Sequence, residues 1–359
     1  MQIDCHHGAV YVLCRLAGMK SNFARIVAYA SQQVDDAVFD HALKFKNGGV
    51  FYQTRTAHSI LNWLRMADVN DAFQVWLPFH FIPAGKGSSI CQRLITAPEG
   101  KTIELLKEKV TAAGSREYGL HWLGIFLHLY ADAFSHQDFK GFYDAHNEIE
   151  IIFGLDRMPP RDTLLFFFSR CFSSLVPIGH AVAAKNPDIP YAVWSYSREG
   201  KKYEVNNLQE RFIPGLKKIF AFLLSYLTEN PRYGKSTSAD SLNIKLKRII
   251  KLLKVEGSSH FRHRQWLAAV HNNDFAFQDF NEIDKNLDYD SRTWFKRAVR
   301  AQKDGGPLNR LQNMAYNYHD FYKRENFVQT DWVYFMRAAG IHRYKVLHEI
   351  LPACGLQVG

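Results

Sequence analysis

The stretch from Glu117 to Gln137, EYGLHWLGIFLHLYADAFSHQ, reads as one long helix that is apolar on most of its sides. Only a fold that surrounds such a helix with other elements can bury it, so this stretch sets the centre of the molecule. It also carries ionisable groups where a core should have none. A helix turns about 100° per residue, so His121, His128, Asp132 and His136 fall within roughly a quarter-turn arc of one face. Burying them is costly unless something neutralises them, and a divalent cation does so most directly.

The rest of the chain supplies the surrounding elements. Apolar residues recur at spacings of three and four from Asn22 through FARIVAYASQQVDDAV, and Ala9 to Ala17 forms a shorter apolar run that Gly18 stops. Further helices are expected over about Ala57 to Met66, Lys101 to Ala113, LLFFFSRCFSSL, Asn207 to Leu227 and most of 260–359. Asn47-Gly48-Gly49, within FKNGGVFY, signals a small hairpin. The expected class is therefore mainly α. Three parts are expected: 1–230 as a metal-binding helical core domain, 231–259 as a basic linker and amphipathic helix, and 260–359 as a helical C-terminal region packed on the core.

Aromatic and apolar residues make up 14% and 47% of the 359, enough for a substantial core. No uncharged run of membrane-spanning length occurs, and MQIDCHHGAVYVLC lacks the basic start and small-residue cleavage site of a signal peptide, so the expected location is cytoplasmic. Cys5, Cys14, Cys91, Cys171 and Cys354 are odd in number and scattered, which argues against both a disulfide framework and a thiolate zinc site. The formal charge is +10, and residues 201–260 hold twelve Lys or Arg against five Asp or Glu. Segment 240–255 sets Leu242, Leu246, Ile249, Ile250 and Leu253 against Lys245, Lys247, Lys251 and Lys254. Three readings stay open for it: an interfacial helix on an anionic surface, a nucleic-acid contact, or a core helix with a basic back.

Histidines carry the chemical signal, because ten of the sixteen lie at or before position 180, beside acidic residues in apolar surroundings. Imidazole nitrogen and carboxylate oxygen are the ligands of hydrolytic zinc sites, and a spacing of four lets two side chains on a helix reach one ion. His128, Asp132 and His136 are joined by His146 and Glu150, again four apart in AHNEIE. Upstream stand His6, with Asp4 in range of the same ion, and the pair Asp35-Asp36. His80 lies in the apolar loop LPFHFIP. His58, His121 and His180 are weaker candidates for the metal or for orienting its ligands.

GIFLHLYADAFSHQDF followed by HNEIE resembles the zinc-dependent phospholipase C and S1/P1 nuclease superfamily. The resemblance implies a multi-helix phospholipase C/P1 nuclease-like bundle with a helical C-terminal extension. It also implies ligand roles for His128, Asp132 and His136, then for His146 and Glu150, and upstream for His6, for Asp35 or Asp36, and for His58 or His80. Those enzymes also use an N-terminal amine, a place for which Asp4 is the expected substitute. DCHHG, SQQVDD, PFHF, PIGH and WSY are similar to the patterns of a bacterial group designated DUF6765, over about residues 1–200.

The resulting expectation is a metal-dependent phosphoester hydrolase, phospholipase C-like or nuclease-like, acting on a lipid headgroup or a nucleic acid. Two or three Zn2+ ions would share a bridging water, with Asp35 or Asp36 taking its proton. Mn2+ or Fe in a carboxylate-bridged site is another reading, short of a repeated Glu-x-x-His pattern. A competing class is a non-catalytic, metal-stabilised helical protein with a regulatory or interaction role, in which protein ligands close the site.

Overall fold

The computed structural model describes residues 1–58, 71–142, 144–155, 179, 181–303 and 319–357. The fold is mainly α with small antiparallel sheets. The helices expected over about Ala57 to Met66 and through LLFFFSRCFSSL lie, from residue 59 onward, outside the described residues.

A π-helical turn, Asp4–Ala9, runs directly into α1, Val10–Leu16. Gly18 ends that run with a φ of +99°, and a Cβ there would meet the Lys235 carbonyl oxygen. α2 spans Ser21–Asp36. A short hairpin follows, β1 (Ala42–Lys44) with β2 (Val50–Tyr52), turned through Asn47-Gly48-Gly49 as the sequence leads one to expect. α3, Lys101–Ala112, precedes α4, Gly119–Ser135, which is buried along its whole length.

α4 is walled by α2, by α3, and by two later helices, α5 (Ile213–Glu229) and one near the C-terminus. The crossing with α2 depends on Gly124. A Cβ at that position would lie 2.5 Å from the Val27 carbonyl oxygen and 2.6 Å from the Ala30 Cβ. With glycine there and Ala24, Ala28 and Ala30 buried on α2, the two backbones come into direct contact one turn before His128.

Between α4 and α5 lies a three-stranded antiparallel sheet, β3 (Glu150–Phe153), β4 (Val193–Arg198) and β5 (Lys201–Asn206), in the order β3-β4-β5. Helical spacing does not foresee it. Glu199-Gly200 forms the two-residue turn, both at positive φ, which suits a tight hairpin between twisted strands. Trp194, Tyr196, Phe81 and Phe139 make a small separate core beneath it.

α6, Asp240–Leu253, buries Leu242, Ile249, Leu252 and Leu253 against α1, α5 and α7 (Ser259–His271) and leaves Lys247 and Lys251 exposed. Packing thus uses most of the apolar side of this basic amphipathic segment, although Ile244 stays 74% exposed. A short α8 (Thr293–Ala298) leads into the hairpin β6 (Val299–Lys303) and β7 (His319–Lys323), and α9 spans Asp331–Lys345.

One continuous apolar cluster runs from Met1 to Leu356, so the C-terminal region shares its core with the N-terminal helices. Buried polar ties reinforce this. Arg15 Nε and the Tyr11 hydroxyl both donate to Asp284 Oδ1, at 2.8 and 2.7 Å, and Tyr29 donates to the Asp290 carbonyl at 2.6 Å. Among the described residues, no helix is long and apolar enough to cross a membrane.

Candidate metal centre

Five side chains from four separate places in the fold converge beside α4. His6 comes from the π-helical turn, Asp35 from the end of α2, His80 from the loop after a short turn at Leu77–Phe79, and His128 and Asp132 from successive turns of α4. Two groups of potential ligand atoms result, His6–Asp35–His128 and His80–His128–Asp132, each with all atoms within 4.8 Å of one another. Asp132 Oδ2 stands 3.1 Å from His80 Nδ1 and 3.2 Å from His128 Nε2, and those two nitrogens are 3.2 Å apart. Asp132 Oδ1 faces the other way, 3.2 Å from His6 Nε2.

Backbone carbonyls fix the rings. His128 Nδ1–H donates to Ser31 O at 2.8 Å, His80 Nε2–H to Thr56 O at 2.9 Å, and His136 Nδ1–H to His80 O at 3.0 Å. These tautomers are assigned from the partners, since a carbonyl only accepts. With a proton on His80 Nδ1, as the neighbouring Asp132 carboxylate favours, that N–H donates to Asp132 Oδ2; without it, His128 Nε2, His80 Nδ1 and Asp132 Oδ2 are three acceptors facing one another. Such an arrangement repels itself unless a proton or a metal ion sits among them. The same pattern, one ring nitrogen on a carbonyl and the other presented inward, is how proteins orient histidine ligands.

His6 makes the case from the other side. Its ring is fully buried, stacked on His128 at 3.8 Å between centroids, and neither of its nitrogens makes a hydrogen bond. A buried imidazole left in that condition costs about 1–3 kcal/mol, which coordination to an ion would remove.

Two further charged groups border the cluster. The α-amino group of Met1 lies 2.5 Å from Asp132 Oδ1 and 3.0 Å from Asp188 Oδ1, and it donates to the Ser135 hydroxyl at 3.0 Å. Asp188 also meets His136 Nε2 at 3.1 Å. With His6 and His128 neutral, the three carboxylates of Asp35, Asp132 and Asp188 outnumber the cations beside them, the Met1 ammonium and the His80 imidazolium, an excess of negative charge suited to a divalent cation.

Protonation follows these surroundings. Burial holds His6 and His128 at about 4, keeping both neutral ligand forms at physiological pH. For His80 burial acts downward too, but the Asp132 carboxylate outweighs it and the imidazole is raised. Burial on its own would raise Asp132; the His136 ring, the Met1 ammonium and the other imidazoles outweigh it and hold the carboxyl well below its usual range. The same carboxylates push the Met1 amine up to about 11 against the effect of burial.

The remaining candidates stand elsewhere. Asp4 is buried but turns to Arg262, which donates from Nε to Asp4 Oδ2 at 2.6 Å, so the amine of Met1, not Asp4, approaches Asp132. Asp36 points away from its neighbour Asp35 and accepts from the Tyr289 hydroxyl at 2.5 Å and from Gln32 at 3.2 Å. His58 lies near Asp71, 3.8 Å from ring nitrogen to carboxylate. His121 faces Asp331 of α9 at 3.0 Å. His136 reaches the edge of the cluster, its Nδ1 3.8 Å from Asp132 Oδ2. His146 sits in a 3-10 turn, Ala145–Asn147, and points Nε2 at the Asp138 carbonyl at 3.0 Å, while Glu150 opens β3 on an exposed edge. A turn followed by a strand does not carry residues four apart to one side, which is why this pair stays out of both groups. His180 lies outside the described residues.

Charge spacing gives no hint of Met1 or of the carbonyls of Ser31, Thr56 and His80 that set the rings. Asp188, in NPDIP, reads in sequence as a turn aspartate or as part of a loop closing over the site, and the fold brings it to His136.

The profile of a family of unknown function, DUF6765, matches residues 1–350, and the chain belongs to that family. No curated protein and no solved structure matches the chain.

Proposed function

We propose that this member of the DUF6765 family is a metal-dependent phosphoester hydrolase, phospholipase C-like or nuclease-like, with zinc as its ion. The observation that carries the reading is the convergence of His80 Nδ1, His128 Nε2 and Asp132 Oδ2 at 3.1–3.2 Å in a buried site. A donor set of imidazole and carboxylate with no cysteine suits hydrolytic zinc better than structural zinc. The order of His6, Asp35, His80, His128 and Asp132 along the chain also resembles the ligand order of the phospholipase C and S1/P1 nuclease superfamily.

A bound zinc ion supplies Lewis acidity, lowering the pKa of water and polarising a phosphoryl oxygen. The protein's own groups do the rest. Asp35, whose side chain is 35% exposed where the other members of the cluster are buried, would be the member open to substrate and would accept the proton of the attacking water. Asp132 presents its two oxygens in different directions, Oδ1 to His6 and the Met1 amine and Oδ2 to His80 and His128, so it would hold an ion on either side. His128 has one nitrogen committed to Ser31, so it serves a single ion.

Burial of every member except Asp35 favours a second reading, a closed metal-stabilised domain without turnover. Metal analysis of the purified protein together with hydrolysis of bis(p-nitrophenyl) phosphate separates the two. Stoichiometric zinc, with cleavage and metal both lost in Asp132→Ala, supports the hydrolase. Stoichiometric metal without cleavage leaves the closed site. Protein that purifies without metal removes both.

A further inference from the structure

The C-terminal hairpin carries a second, unrelated concentration of charge. β6 pairs with β7 so that Arg300 stands opposite Tyr322, its guanidinium 4.7 Å above the ring, and Arg324 is anchored by its backbone N–H to the Ala298 carbonyl at 2.9 Å. Arg297 projects from the end of α8 beside them. Asn47 closes the wall: its side chain donates to the Lys323 carbonyl at 2.8 Å and accepts from the Lys323 N–H at 2.9 Å. Together these residues line an open recess of about 620 Å³.

Two more recesses continue it. One of about 570 Å³ shares Arg297 and Arg324, and one of about 440 Å³ shares Asn47, Lys323 and Arg324. The result is an extended groove, not a closed pocket. Lys296 on its rim is neutralised by Asp290 at 2.9 Å. Among the described residues Arg297, Arg300, Lys323 and Arg324 form no ion pair with a carboxylate, and Glu325 is the single acid in the central recess. Four cations, three of them guanidinium forks, held unpaired along a groove are matched by an anion that repeats its charge along its length.

We propose that this groove binds the phosphodiester backbone of a nucleic-acid strand. A lipid surface fits less well, because Val328 is the one large apolar side chain exposed among the residues lining these recesses, too little to insert into a bilayer. The guanidinium planes of Arg297 and Arg324 also offer faces on which bases stack, while Arg300 is already stacked on Tyr322. The groove is made of residues apart from the His/Asp cluster, so binding and any hydrolysis are separate properties.

The test is fluorescence anisotropy of labelled oligothymidylate with the full chain, in EDTA so that turnover does not enter. Four phosphate contacts to a single strand predict that log Kd rises with log salt with a slope of about 3. Arg297→Ala/Arg324→Ala should weaken binding roughly tenfold and lower that slope by about 1.5, with unchanged thermal unfolding. Lys247→Ala/Lys251→Ala on α6, equally basic, should change Kd by less than about twofold. The proposal fails if wild type shows no salt-dependent binding, if the groove variant binds as wild type does, or if the α6 variant carries the loss. It fails too if phosphatidylserine vesicles bind at the groove in preference to the oligonucleotide.

Discussion

Trp122 Nε1 donates to His342 Nδ1 at 3.0 Å, and His342 Nε2 donates onward to the Pro78 carbonyl at 2.6 Å. This bridge joins α4 and α9 to the segment that delivers His80. It demands a neutral ring, since Nδ1 must accept, and burial accordingly lowers the imidazole to about 4. The unfolded chain takes up the proton near the ordinary value of 6.5. Stability from this group is therefore complete above about pH 6.5, falls as pH drops, and levels off below about pH 4, a span on the order of 3 kcal/mol. Urea unfolding midpoints between about pH 7 and pH 5 should fall for wild type and fall less for His342→Phe. Equal pH dependence in the two proteins refutes the assignment.

Gly124→Ala tests how the fold positions the centre. The new Cβ meets the Val27 carbonyl and the Ala30 side chain well inside contact distance, so α2 and α4 must separate. Overpacking of this kind costs about 1–3 kcal/mol. It also draws the Ser31 carbonyl away from His128, and loss of such an orienting partner lowers metal affinity about 10–100-fold. A competitive zinc titration of the folded variant reads this directly; unchanged affinity would show that the helix contact does not set the ring.

Asp4 and Asp132 are both buried acids close to the first residues of the chain in space, and they predict opposite results. Asp4→Asn leaves Arg262 buried without its charge partner, a loss of about 3–5 kcal/mol in stability, yet metal content stays as in wild type. Asp132→Asn removes the carboxylate that meets His6, His80 and His128 and should abolish metal retention. Metal content by mass spectrometry and thermal unfolding of each variant decide the matter, and a metal-free Asp4→Asn protein that still folds would restore Asp4 as a ligand.

His146→Ala and Glu150→Ala should each retain wild-type metal content, because a 3-10 turn and an exposed strand edge hold the two residues outside the convergence. Asp188→Ala should lower zinc affinity about 10–100-fold through His136, which it meets at 3.1 Å. The reverse ranking would place the centre further along the chain.

Chelation should destabilise the whole molecule. An ion that binds only the folded state adds about 4 kcal/mol when present at a thousand times its Kd. A single cooperative melt shifted downward by EDTA and restored by zinc is the expected outcome; indifference to both argues against occupancy of the cluster.

What could be read from the sequence divides along physical lines. α4 and the apposition of His128 with Asp132 follow from helical periodicity alone; for α6, the buried Leu242, Ile249 and Leu253 belong to the expected apolar stripe, whereas Leu252 does not, and of the three readings the packing matches the core helix with a basic back. The β4–β5 hairpin was hidden because VWSYSR and KKYEVN alternate too weakly to separate from loop, and its turn is Glu-Gly where Asn-Gly is the strong signal. Within Asp35-Asp36 no local rule tells which residue faces His6, because the helix ends there and Tyr289, more than 250 positions away, captures the second. Likewise Asp4 looked available only while Arg262 was out of view.

That last pairing has a bearing on how the protein is made. Asp4 and Arg262 are separated by 258 positions, and Arg15 and Asp284 by 269. At about 5–20 residues per second, the ribosome releases Arg262 roughly 13 to 50 seconds after Asp4. Through that interval the apolar segment from Val10 to Leu16 lacks its last neighbours, and its buried acid and arginine wait without counterions. The first helices thus complete their burial and their ion pairs only once the segments carrying Arg262 and Asp284 have been made.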